Sequence, residues 1–238
     1  MADIVVETQG LTMRFGGVTA VDNVDFQLEA RELRCLIGPN GAGKSTFFKC
    51  LTGMLKPTTG DIFISGEETT GWDPHRVASL GVATKTQVPS VLDGLTAREN
   101  IWLSARRFHD TAGANRRSQE VIEELKLGAI AGQTLDRLAH GERQRIELGI
   151  VAAADPWLVL LDEPAAGLTG EEVSDMADII NQLNQRAAVI IVEHDMQFIR
   201  SIARKITVFN QGAVLMEDDV DVVLSDPTVR NVYLGKRG

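Results

Sequence analysis

Gly38-Pro39-Asn40-Gly41-Ala42-Gly43-Lys44-Ser45 is the stretch that decides the fold class. It follows a short apolar run, Leu33–Ile37, that reads as a buried strand, and it opens an apolar-periodic segment, residues 44–55, that reads as a helix. The eight residues match G-x-x-x-x-G-K-[ST] in the strand-before, helix-after setting that the pattern requires. Glycines at 38, 41 and 43 let the backbone curl, so that successive N–H groups point into one concavity of phosphate size. The following helix adds the positive end of its dipole. Lys44 brings a full charge to β- and γ-phosphates, and Ser45 offers a hydroxyl to Mg²⁺. The nucleotide contacts expected here are Gly38, Pro39, Asn40, Gly41, Ala42, Gly43, Lys44, Ser45 and Thr46.

Upstream of the loop the chain alternates in the strand manner, Val24, Phe26 and Leu28 to one side and Asp25, Gln27 and Glu29 to the other. Downstream, residues 61–65 read as a strand closed by Gly66, and residues 82–84 as a short one. The chain then changes character. Residues 88–154 carry helical patterns: a capping box at Thr96 and Glu99, a helix over 116–125, and another beginning after Gly141. Strands return at 157–161 and Ala188–Val192, separated by a helix in which Val173, Met176, Ala177, Ile180 and Leu183 share a face behind a second capping box, Thr169 with Glu172. Apolar strands alternating with helices argue for an α/β core with parallel strands. The domain expectation is one unit over 1–238, its core made of 1–87 and 155–238, with 88–154 as a helical insertion.

The strand at 157–161 runs into Asp162 and Glu163. Two acids at a strand tip can be ordinary solvated loop residues. Beside a phosphate loop they mean more, because parallel strands deliver their C-terminal ends to the edge where ligands bind. Asp162 is then placed to reach Mg²⁺, and Glu163 to act as general base toward the attacking water. Ala188–Val192 ends in Glu193-His194-Asp195, which puts His194 within reach of the γ-phosphate. Gln87 stands where core gives way to helices, a place suited to sensing both Mg²⁺ and the insertion.

Bulk composition is that of an ordinary soluble domain, 44% hydrophobic and 24% charged, and no stretch approaches the roughly 18 apolar residues of a membrane helix. The N-terminus, Met1-Ala2-Asp3, lacks a basic and apolar leader, so membrane involvement is expected only through a partner. A net charge of −9 argues against nucleic acid as a partner. Arg106-Arg107 and Arg116-Arg117 read as solvated helix surface. Cys35 and Cys50 lack metal-ligand spacing and read as reduced core residues, in keeping with a cytoplasmic protein.

Taken in order, these elements resemble the nucleotide-binding subunit of an ABC transporter: the loop GPNGAGKS, Gln87, the strand and acids LVLLDE, and the histidine of VEHD. The resemblance covers essentially the whole chain. It implies a P-loop NTPase with a RecA-like mixed-sheet core, an N-terminal antiparallel β subdomain and an inserted helical subdomain. It places Phe15 against adenine and assigns Leu138-Ala139-His140-Gly141-Glu142 (LAHGE) to the family signature LSGGQ, which faces the ATP of an opposing subunit. Lys44, Gln87, Glu163 and His194 become the catalytic set, Ser45, Gln87 and Asp162 the metal set, and ATP and Mg²⁺ the cofactors. The implied partners are a second ATPase subunit, identical or different, the transmembrane permeases and, indirectly, a periplasmic solute-binding protein. The implied location is the inner face of the bacterial cytoplasmic membrane.

Two departures stand out. Ala139 replaces a serine that donates to the opposite γ-phosphate, a bond to a charged group worth roughly 1.5–3 kcal/mol, which predicts slower turnover and a looser ATP sandwich. Thr169 stands where most relatives carry aspartate, and reads as a helix N-cap. FGGVTAVDNVDF, DEPAAGL, VEHDMQFI and DPTVRNVYLG resemble the ATPases of importers for branched-chain amino acids, urea and short amides. Two alternatives accompany that reading: a lipid or lipopolysaccharide exporter ATPase, on GERQRIEL, and a soluble non-transport ABC ATPase.

Overall fold

The structure, a computed structural model, describes residues 3–86 and 91–234. The chain runs β1 (Ile4–Phe15), β2 (Val18–Glu29), β3 (Leu33–Ile37), α1 (Lys44–Leu51), β4 (Thr59–Ile64), β5 (Glu67–Glu68), α2 (Pro74–Ser79) and β6 (Val82–Lys85). It continues through α3 (Ala97–Ala105), α4 (Thr111–Glu124), α5 (His140–Ala153), β7 (Leu158–Asp162), α6 (Gly170–Asn184) and β8 (Ala188–Val192). The last elements are α7 (Met196–Ile202), β9 (Lys205–Asn210), β10 (Ala213–Asp219), α8 (Val220–Ser225) and α9 (Pro227–Leu234). They build two sheets. One is antiparallel, in the order β2-β1-β4-β5; the other is mixed, β10-β9-β3-β8-β7-β6, with only β10 running antiparallel to its neighbour.

Every residue of β3, β7 and β8 is buried, which is the mark of strands covered on both faces. Alternation sorts their side chains into two cores. Cys35, Val159, Leu161, Val189 and Ile191 face α3–α7 on one side. Leu36, Leu158, Leu160, Ile190 and Phe209 face α1 and the antiparallel sheet on the other. Phe47 of α1 keys the sheets together, its ring 5.4 Å from that of Phe26 and 5.2 Å from that of Phe209. In β2 the expected alternation holds, with Val24, Phe26 and Leu28 buried and Asp25, Gln27 and Glu29 exposed.

Several boundaries differ from expectation for identifiable reasons. α1 stops at Leu51 rather than at 55, because the Thr52 hydroxyl donates back to the Phe48 and Lys49 carbonyls and Gly53 takes a left-handed φ of 74°. The helix expected over 116–125 begins at Thr111, capped by Asp110, whose Oδ1 accepts from Gly113 N at 2.7 Å. β7 extends to Asp162 because that residue still pairs with Val192. Arg117 is not solvated surface. It is buried, and its guanidinium donates to the Ala152 carbonyl and pairs with Asp155, both at 2.8 Å, which pins α4 to the end of α5.

Both cysteines are free and buried. Burial, reinforced by the Glu193 charge, pushes the Cys35 thiol far above its ordinary range, and burial raises Cys50 to about 11. Thiolate is the reactive form, so neither is expected to react with a thiol-specific disulfide reagent at pH 8 in the folded protein. Titration after unfolding should release the 2 thiols of the sequence. Rapid reaction of Cys35 in the native state would contradict this packing.

Candidate nucleotide site

The loop after β3 is locked from two sides. Gly38 has φ 148°, and a Cβ there would stand 2.2 Å from the Phe209 carbonyl oxygen of β9; Gly43 has φ 106°, and a Cβ there would stand 2.3 Å from the Ala20 carbonyl oxygen. Gly212 N donates to the Ala42 carbonyl at 3.0 Å, closing the loop against the β9–β10 turn. Gly43 caps α1 without a side-chain hydrogen bond, and the first turn carries no acid, so its amides keep their donor capacity for an anion. The Lys44 ammonium lies back across the loop, donating to the carbonyls of Gly38 at 2.7 Å and Pro39 at 3.1 Å. Phe15 ends β1 with its ring half exposed, in the hairpin whose second strand supplies the Ala20 carbonyl packed on Gly43.

β8 runs parallel to β3 and β7 parallel to β8, so their C-terminal ends open on the same edge as the loop. Asp162 ends β7, and its buried Oδ1 has no hydrogen-bond partner among the described residues. Glu163 then takes φ 49°, a conformation that a glutamate adopts only against a steric cost of order 1–3 kcal/mol. Its amide still donates to the Val192 carbonyl at 2.9 Å. The chain therefore turns at the strand tip, which releases Glu163 from strict alternation. His194 follows β8 and is mostly exposed, with Nδ1 3.6 Å from Glu163 Oε1.

The charges see one another. Burial draws the Lys44 ammonium below its ordinary value, and the negative charges of Glu163 and Asp162 oppose that. Burial, then the neighbouring Glu163, raises the Asp162 carboxyl, while Lys49 and Lys85 pull it back. A buried, unpartnered carboxylate oxygen beside a phosphate cradle, with the half-buried Ser45 at the start of α1, is the hard-oxygen donor set that suits Mg²⁺. Gln87 lies outside the described residues.

Glu193, to which the sequence pattern assigns no role, is a further residue of the site. It is only 2% exposed, and its carboxylate accepts from Ala165 N at 3.1 Å, His194 N at 2.8 Å and Asp195 N at 3.3 Å. One side chain thus ties the turn after Glu163 to the turn carrying His194. The signal was available: a carboxylate beyond a fully apolar strand must find donors if it is buried.

Leu138, Ala139, His140, Gly141 and Glu142 open α5. Their contacts lie within the helix start, on the turn after β7 and on the first turn of α6. His140 Nε2 is 3.0 Å from the Ala166 carbonyl oxygen, Glu142 accepts from Ala139 N at 3.0 Å, and a Cβ at Gly141 would collide with Glu172. Thr169 is the N-cap of α6, and Glu172 accepts from its amide and its hydroxyl, which holds the Glu172 carboxyl below its usual range.

A phosphate loop, an acidic strand tip and a histidine turn on one sheet edge narrow the candidates to cassette-type ATPases. The family model described as ABC transporter matches residues 21–166, well over half of the chain. This chain belongs to the ABC transporter family. Its curated relatives include the high-affinity branched-chain amino acid transport ATP-binding protein BraF of Pseudomonas aeruginosa, 37% identical over 99% of this chain and 100% of that one. The LivG protein of the same description from Escherichia coli is 32% identical over the same shares. The lipopolysaccharide export ATP-binding protein LptB of Haemophilus influenzae is more distant, 30% identical over 98% of each chain. Among solved structures, a nucleotide-free ATP-binding cassette from an ABC transporter superposes with a TM-score of 0.88 at 23% identity, covering 98% of this chain and 100% of the other. The cassette fold is thereby shown, with the antiparallel sheet, the mixed sheet and the helices in their expected relation.

Replacing Glu193 with Gln removes one acceptor oxygen and leaves a buried N–H unpaired, a cost of about 1–3 kcal/mol. Melting of this cassette should fall by roughly 2–12 °C. ATPase kcat should fall about tenfold with KM for ATP nearly unchanged, since the two turns lose registry while the phosphate loop is untouched. Steady-state kinetics with a thermal melt checks both.

Proposed function

We infer that this cassette is the ATP-binding, ATP-hydrolysing subunit of an ABC importer. The observation that carries the reading is the meeting of Lys44, Asp162, Glu163 and His194 on one sheet edge. The loop amides and Lys44 take the β- and γ-phosphates, exchanging the Gly38 and Pro39 carbonyls now held by the ammonium for phosphate oxygens. The Phe15 ring offers a face to adenine. Ser45 and Asp162 would hold Mg²⁺, with Gln87 proposed as a further ligand, and the ion would neutralise charge on the phosphate oxygens. Glu163 accepts a proton from the water whose oxygen bonds to the γ-phosphorus, and the bond from that phosphorus to the bridging oxygen of ADP breaks. His194, beside Glu163, orients that water and contacts the γ-phosphate.

A single cassette lacks half of each site. In the proposed assembly a second cassette, identical or different, faces the first head to tail, and residues 138–142 at the start of α5 cover the opposing ATP. The coupling surface is the groove between β6, α3 and α5. It forms a cavity of about 350 Å³ lined by Val82, Ile150 and Val151 and by the exposed side chains of Leu92, Leu103 and Phe108. Permease subunits docked there place the cassette on the inner face of the bacterial cytoplasmic membrane. No described helix is long and apolar enough to cross a membrane. The importer reading follows the branched-chain amino acid relatives, and the cargo class proposed is branched-chain amino acids, urea or short amides delivered by a periplasmic binding protein.

Glu163→Gln should lower ATP turnover at least a hundredfold while MgATP binding persists. Gel filtration with MgATP should then trap a dimer that wild type populates only transiently. Turnover at the wild-type rate would remove Glu163 from the catalytic role. Co-purification with permeases that themselves recruit a periplasmic binding protein supports import; recovery with lipid-export subunits contradicts it.

A further inference from the structure

Among the charges that reach Asp162, one belongs to a second, buried arrangement. Lys85 ends β6, where it lies in register with Leu161, the neighbour of Asp162 on β7. Its ammonium is buried and lies 3.3 Å from Oε2 of Glu147, which is buried in turn on α5. α5 is the helix that opens with residues 138–142. Glu147 lies two helical turns, roughly 10 Å, along it from His140.

The pair is not built for stability. Glu147 Oε1 has no hydrogen-bond partner among the described residues, and a cavity of about 40 Å³ lies beside the two side chains. Buried ion pairs with unmet hydrogen-bonding capacity are commonly no better than apolar replacements, and their best-attested use is to set register or act as a switch. A rival cation is already in place. Arg143 Nε stands 3.9 Å from Glu147 Oε1, while the same guanidinium holds Asp93 at 2.7 Å. A small shift of α5 can therefore pass Glu147 from Lys85 to Arg143 without stranding a carboxylate. The Lys85 ammonium, whose charge already acts on the Asp162 carboxyl from one residue away in register, is then left without its carboxylate.

We propose that the Lys85–Glu147 ion pair is a latch through which the position of α5, and hence of residues 138–142, is felt at the Asp162 end of the catalytic sheet. Lys85 and Glu147 act in it as positioning residues. The proposal rests on the nucleotide-site reading above and adds to it the physical element that links the site to the helix start. Two partner choices for Glu147 supply the discrete states that such coupling requires.

The test uses the full chain with Lys85→Met, Glu147→Gln and the double variant Lys85→Met/Glu147→Leu. The readouts are thermal melting, affinity for a fluorescent ATP analogue in EDTA, Mg²⁺ dependence of ATP turnover, and hydrogen exchange of α5 amides with and without MgATP. The double variant should melt at or above the wild-type temperature and bind the analogue within twofold of wild type. It should nevertheless lose the MgATP-dependent protection of α5 and need about tenfold more Mg²⁺ for half-maximal turnover. If it keeps wild-type protection and Mg²⁺ dependence, the pair is structural and the proposal falls. Should the double variant fail to fold, Lys85→Arg decides: near-wild-type behaviour supports the latch, and the same loss as Lys85→Met overturns it. Wild-type protein without MgATP turnover would instead overturn the nucleotide-site reading.

Discussion

β3, β8 and β7 lie side by side and run the same way, and the candidate site exists because of that direction. Each strand is fully buried, so each must leave the sheet through a turn at its C-terminal end, and the turns crowd onto one edge. The phosphate loop, the Asp162-Glu163 tip and the His194 turn are those exits. Holding them there is costly. Glu163 sits at positive φ, Asp162 buries an unpartnered oxygen, and Lys44 is partly stripped of water. Such strain persists only where the surroundings over-determine it. Two packed cores and the three-donor Glu193 carboxylate supply that constraint.

Much of this was legible in the residues. Leu33–Ile37 and Ala188–Val192 were read with the bounds the structure gives, because short apolar runs ending in loop chemistry leave few alternatives. The capping residues at Thr96 and Thr169 were visible for the same reason, since each acid lies three positions after the cap and binds back to it. What stayed hidden depends on partners distant in sequence. Arg117 reads as surface until the end of α5 is laid against it. Glu193 reads as a polar turn residue until Ala165, 28 positions away, is seen to donate to it. The start of α4 was missed because Gly113 in its first turn weakens the helical pattern, and Asp110 compensates by capping.

The departures in LAHGE acquire a physical setting. His140 reaches the Ala166 carbonyl, and Glu172 fills the space beside Gly141, so the start of α5 is braced against the turn that follows Glu163. A glycine at 140 has no side chain with which to reach Ala166. The histidine gives the helix start a fixed relation to the turn that follows Glu163. Thr169 spends its hydroxyl on Glu172 within the cap of α6.

The most direct measurement is a crystal structure of the protein with ADP and Mn²⁺, using the anomalous signal of manganese to place the ion without reference to the protein. One strong peak is expected at the sheet edge, bonded to the Ser45 hydroxyl and a β-phosphate oxygen, with the Asp162 carboxylate in its coordination sphere directly or through one water. A peak elsewhere, or Asp162 and Glu163 both turned away from an occupied phosphate loop, would contradict it.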